Sequence, residues 1–214
     1  MDTVYLESNK DVKNKNPITS CVLYNIDSLD EYEENLVKLV IKMQDLLNIR
    51  FGKNYDLKNI SMGLIYLYNS YNILLDLPHM IHRIQRKGKP CSYLVFGELI
   101  NQLSSITFLS ESIKLINNVD NLMLDSRLAA SLKKNNYDIL TYMNIKVDKN
   151  IFRKNTRSQI KILLEEDLKM KQKELSICAM DMIINIYTIN MSNSRRAENK
   201  EKLRKYLIDN ILNI

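Results

Sequence analysis

A chain of 214 residues with 45 % hydrophobic and 26 % charged residues has the balance of a soluble globular fold and is long enough to bury a real core. Four glycines and three prolines supply too few turn positions for a hairpin-rich or doubly wound architecture, which leaves long helices joined by a few loops. The formal net charge of +6 is uneven: residues 1–107 carry 12 Lys+Arg against 12 Asp+Glu, and residues 108–214 carry 19 against 13. Such asymmetry points to an acidic partner for the second half.

Residues 1–26 are polar and aperiodic and read as an arm. Ser28 and Glu31 form an S-x-x-E capping box, and Leu29, Tyr32, Leu36, Leu39, Val40, Met43 and Leu46 follow at helical spacing. A first helix is therefore predicted over 29–50, with Gly52 beyond its end. Asp56 suits the N-cap of a second helix whose apolar positions run round most of its circumference, from Leu57 to Leu75, as expected for a central element. Its core, residues 59–75, lacks charge but is short for a bilayer span and holds three Asn and two Ser, so no membrane span is expected.

Pro78 reads as the first turn of a short third helix that ends at RKGKP. A fourth helix is predicted over 92–116, with Leu99, Leu103, Ile106 and Ile113 on one face and Val95, Phe96 and Leu109 broadening it. Asp120 caps a fifth, to about Lys133, and a shorter one covers 137–143. The longest periodic run is 156–190, with Ile160, Leu164, Leu168, Leu175, Ala179, Met182, Ile183 and Ile186 as its stripe, interrupted by Lys171 and Gln172. Ser194 opens a last helix carrying Leu203, Tyr206, Leu207 and Ile211. The expectation is an all-α bundle of about seven helices. It comprises a polar arm (1–27), a near-neutral bundle (28–118) and a basic half (119–214) packed on it as one globule.

Motifs for chemistry are absent. No GxxxxGK[ST], GxGxxG, GxSxG or CxxC occurs, and Gly52, Gly63, Gly88 and Gly97 are too dispersed to build a phosphate loop. Asp76, His79 and His82 have helical i, i+3, i+6 spacing, which could form part of a Zn²⁺ site. Pro78 separates the aspartate from the helix, no HExxH accompanies them, and they read better as boundary residues. Nothing around Cys91 marks an activated thiolate. The acidic runs 30–34 and 165–167 are accounted for by the helix dipole and by i, i+4 pairs to Lys169 and Lys171. Neither an enzyme activity nor a cofactor or metal is expected.

Positive charge is the informative feature. KVDKNIFRKNTRSQIK (146–161) carries six cations and one acid. Lys146, Lys149, Arg153, Lys154, Arg157 and Lys161 are expected to contact phosphates, the last, Arg157 and Arg153 being four apart on one helical face. Arg83, Arg86, Lys87 and Lys89 would add a second patch, and Arg195 and Arg196 a third. Phe152 and Tyr137 could stack on bases, but each reads better as a core residue. The function expected on these grounds is binding of RNA or a ribonucleoprotein, such as a ribosome-associated factor. The alternative is an adaptor or virus-encoded antagonist that takes an acidic or amphipathic protein partner. Three dispersed cysteines and no apolar N-terminal region predict an intracellular, cytoplasmic chain. Abundant Asn, Ile, Lys and Tyr without Trp fit an AT-rich genome.

Overall fold

The computed structural model describes residues 16–117, 156–188, 191 and 193–211. Among them are seven helices, α1 (Pro17–Ile26), α2 (Glu31–Phe51), α3 (Lys58–Leu75), α4 (Ser92–Phe96), α5 (Glu98–Asn117), α6 (Arg157–Thr188) and α7 (Asn193–Ile211). One two-stranded hairpin, β1 (Gln85–Arg86) with β2 (Lys89–Pro90), lies between α3 and α4. The fold is all-α. The helices expected over 120–133 and 137–143 lie outside the described residues.

The arm expected at 1–26 is helical from Pro17. The Asn16 side chain accepts from Ile18 N at 2.9 Å and Pro17 takes the first helical position, where its missing N–H has no cost. The α2 capping box is Asp30 and Glu33, not Ser28 and Glu31: Glu33 N donates to Asp30 Oδ1 at 2.9 Å and Asp30 N to Glu33 Oε2 at 2.7 Å. At the far end Gly52 adopts φ 58°, and its N–H returns to Asn48 O. Leu57 is the N-cap residue of α3, while Asp56 accepts from Lys58 N at 3.0 Å.

The third expected helix is a run of turns. Met80 N bonds Leu77 O and Ile81 N bonds Leu75 O, both at 2.9 Å, and His82 at φ 57° redirects the chain. Residues 85–90 then reverse through Lys87 (φ 54°) and Gly88 (φ 72°), two consecutive left-handed residues, as a two-residue hairpin requires. The helix expected over 92–116 breaks at Gly97, whose φ of 84° admits glycine readily and separates α4 from α5.

Helix α3 is the central element, buried round most of its circumference. On one side α2 and α6 pack on it, closed at the end by α7, in one apolar core from Leu36 through Tyr71 and Leu175 to Leu207. That core draws on both the near-neutral and the basic half of the chain. The break in the α6 stripe at Gln172 has a use: Tyr32 Oη donates to Gln172 O at 2.8 Å, and Gln172 Nε2 donates to Tyr68 Oη at 3.0 Å. On the other side α5 lies against α3, and α1 lies across α5 and α4.

The α3–α5 contact inverts the expected amphipathicity. The face of α5 turned to α3 carries Asn101, Ser105, Phe108, Ser112 and Ile116, while the buried Ser104 is turned to Ile18 of α1. Ser112 Oγ donates to Gly63 O at 2.7 Å and Ser105 Oγ to Ser70 O at 2.6 Å. Asn101 Nδ2 donates to Ile73 O at 2.7 Å. Small residues let the backbones approach so closely that a Cβ on Gly63 would stand 2.6 Å from Ile116 Cγ1. Of the stripe expected as core, Leu109 and Ile113 pack against the main core, whereas Leu99, Leu103, Ile106 and Val95 are exposed.

Candidate functional site

Three groups of residues are candidates: the hairpin cations, the start of α6, and the outward face of α4–α5.

The hairpin carries Arg83, Arg86, Lys87 and Lys89, expected as a phosphate-binding patch. Its tip folds back on the corner between α1 and α2, and all four side chains are engaged by the protein itself. Arg83 Nη1 stands 2.8 Å from Asp76 Oδ1 and 3.1 Å from Asn72 Oδ1. Arg86 Nε lies 3.0 Å from Asp76 Oδ2, and its two terminal nitrogens donate to Asn69 and Asn25. Lys87 Nζ meets Glu33 Oε2 at 2.7 Å and donates to Asn25 O and Ser28 O. Lys89 pairs with Asp27 and Tyr24 O, its ammonium 4.1 Å from the Tyr24 ring centroid. The Lys87 and Arg86 side chains are only 2 % and 9 % exposed. An outward patch therefore does not form here, because the last carbonyls of α1 and two buried carboxylates need these donors. Burial pushes the Lys87 ammonium below its ordinary pKa, against the pull of Glu33. Burial likewise raises the Asp76 carboxyl, against Arg86 and Arg83.

Of the basic run, Lys146, Lys149, Arg153 and Lys154 lie outside the described residues. Arg157 opens α6 beside the turn that follows α3: its Nη2 donates to Pro78 O at 3.2 Å and to His82 Nδ1 at 2.8 Å, which fixes that nitrogen as an acceptor. An open cleft of about 490 Å³ is lined here by Pro78, His79, Met80, Arg157 and Ile160. Lys161, one turn on, stands 3.9 Å from Glu165. Arg195 is exposed and Arg196 half-buried on α7. Elsewhere on α6 and α7, Lys171, Lys202 and Arg204 stand within 4 Å of Glu174, Glu198 and Asp181 respectively. Asp76 faces arginines rather than His79 and His82, and no group of three His, Cys, Asp or Glu among the described residues could hold a metal ion.

The outward face of α4–α5 was missed as a site because its residues read as core. Leu99 and Ile106 are 68 % and 65 % exposed, Leu94 and Val95 about half, and Leu103 joins them. The available signal was small residues in matched register: Gly63 and Ser70 on α3 are seven apart, as are Ser105 and Ser112 on α5. That pairing marks the contact face and so assigns the leucines to the opposite one.

No protein-family model matches the chain, and no curated protein matches it in sequence. No helix among the described residues is long and apolar enough to cross a membrane.

Proposed function

We propose that this chain is a helical protein-interaction module that takes the amphipathic helix of a partner along the outward face of α4 and α5. One observation carries the reading: Leu99, Leu103 and Ile106 recur at i, i+4 and i+7 on α5 and are exposed, while the face opposite buries serines. Spacing of that kind accepts the ridge of another helix. Leu94 and Val95 of the preceding α4 are exposed as well, and exposed apolar surface is what marks an interaction site. The inward engagement of Arg83, Arg86, Lys87 and Lys89 weighs against the polyanion reading, whose remaining described candidates are Arg157, Lys161, Arg195 and Arg196.

The test is affinity capture with the full chain, before and after nuclease, repeated with Leu99→Gln/Ile106→Gln. A partner that survives nuclease and is lost with the double variant is the expected result. A partner that vanishes with nuclease, is kept by that variant and is lost with Arg157→Glu/Lys161→Glu would return the function to RNA contact. In that case binding would fall steeply with salt, as each neutralised phosphate releases counterion.

A further inference from the structure

Helix α6 is apolar on two faces. The inward face buries Leu164, Leu168, Leu175 and Ala179 in the core it shares with α2 and α3. On the outward face Leu163, Met170 and Ile177 recur at i, i+7 and i+14, and all three are exposed, Met170 by 62 %. A straight helix drifts only about 20° per heptad, so the three side chains share one line roughly 21 Å long. Single exposed apolar residues are ordinary, but a heptad of them on one helix is the seam by which two helices pair. The inward face keeps α2 and α3 on the far side, so this line can be approached from solvent.

The charges along the line select its partner. Other acids of this stretch are engaged within the chain: Glu165 stands 3.9 Å from Lys161, Glu174 3.2 Å from Lys171, and Asp167 accepts from Tyr71. Glu166 and Lys173 are the two charges interleaved with the apolar line. Both are exposed, and neither forms an ion pair or hydrogen bond among the described residues. Glu166 precedes Met170 by four residues and Lys173 follows it by three. Turned end for end about Met170, the same helix offers its lysine where the first offers its glutamate, to within one residue rise of about 1.5 Å. Being seven apart, the two share a flank of the line, and antiparallel helices bring like flanks together. Leu163 then meets the partner's Ile177, and Met170 the partner's Met170. A parallel pair would instead set glutamate on glutamate and lysine on lysine, a repulsion that disfavours it.

We propose that the chain pairs with a second copy of itself through the outward line of α6, antiparallel, with the two-fold axis beside Met170. The contact is isologous: each copy gives and receives the same five residues, Leu163, Glu166, Met170, Lys173 and Ile177. It lies on a different helix from the α4–α5 face and does not depend on the reading of that face.

The experiment is sedimentation equilibrium of the full chain across the micromolar range. The wild-type chain dimerises. Met170→Asp sets two carboxylates face to face at the axis and weakens the dimer at least tenfold. Glu166→Lys and Lys173→Glu each weaken it at least fivefold, because each places like charges across the contact, and Glu166→Lys/Lys173→Glu restores it to within twofold. These side chains are exposed, so every variant keeps the circular dichroism of the wild-type chain. Restoration by the double reversal is the decisive result: an unspecific apolar contact is indifferent to it, and a parallel pair is unchanged by either single reversal. Three outcomes overturn the proposal. They are a monomer throughout that range, a dimer indifferent to Met170→Asp, and a dimer whose charge reversals do not weaken and then restore it. Capture of a partner through Leu99 and Ile106 is read separately with Leu99→Gln/Ile106→Gln, so failure here is distinct from failure of the module reading.

Discussion

The Lys87 ammonium lies 2.7 Å from a Glu33 carboxylate oxygen, with the two side chains 2 % and 0 % exposed. Glu33 also accepts from Asp30 N and from Asn69 Nδ2, so one carboxylate closes the α2 capping box, holds α3 and receives the hairpin tip. Removing one member of such a pair leaves a buried charge uncompensated. Lys87→Met is expected to cost about 3–5 kcal/mol in urea denaturation, and Lys87→Met/Glu33→Gln clearly less than the sum of the two single variants. Additive losses would mean the two groups are not coupled.

Gly63→Ala tests the closeness of α3 and α5. Alanine raises helix propensity by roughly 0.8–1.0 kcal/mol over glycine. Its Cβ, however, would stand 2.6 Å from Ile116 Cγ1 and 3.1 Å from Ser112 O, a backbone atom that cannot swing aside. Overpacking of about 1–3 kcal/mol then outweighs the propensity gain. The expected result is a lower midpoint at unchanged m-value, with Gly63→Ala/Ile116→Ala less destabilised than the sum of its parts.

Alkaline pH should weaken the fold through its phenols. Burial pushes Tyr32 up from 10.0 to about 12 and raises Tyr68, Tyr71 and Tyr187 further. A group whose pKa is raised by folding adds stability that is complete below the unfolded value and is lost as pH climbs through the folded one. Denaturation midpoints should therefore fall between pH about 10 and about 12, with these four of the twelve tyrosines absorbing as phenolate only on unfolding. Full phenolate absorbance in a still-folded chain at pH about 11 would contradict this.

Thiol reactivity should rank the cysteines. Cys178 is half-buried, whereas Cys21 and Cys91 are buried, and desolvation followed by the nearby Asp76 carboxylate pushes the Cys91 thiol up to about 12. The thiolate is the reactive species. At pH about 8, alkylation followed by mass spectrometry should label Cys178 first and Cys91 last, with Cys21 between them through opening of α1.

Tyr71→Phe should loosen α6 from α3. Its Oη donates to Asp167, a bond to an acidic partner that crosses from one helix to the other. Such bonds contribute about 1.5–3 kcal/mol, and the loss should show as faster amide exchange along 164–175.

Much of the helical plan was legible because α2, α3 and α6 obey the 3.6-residue period with ordinary ends, such as Gly52 after α2. The start of α1 is marked in the sequence by Asn16–Pro17, but its three buried residues, Cys21, Val22 and Asn25, give little periodicity. The hairpin was hidden for another reason: Lys87 takes a left-handed conformation that lysine seldom adopts, held by contacts to residues some fifty to sixty positions away. The cations around it read as a solvated patch because nothing local reveals a carboxylate brought from α2 or from the end of α3. Apolar periodicity likewise assigned Leu99, Leu103 and Ile106 to the core of α5, although hydrogen-bonding serines can bind two helices more closely than leucines can.

The meeting of Gly63 with Ser112 and of Ser70 with Ser105 leaves no slack between two backbones. Helices joined by interlocked leucines can slide by a rotamer; these two are pinned where serine hydroxyls donate directly to backbone carbonyls of the facing helix. The α3–α5 pair is therefore the anvil of the molecule.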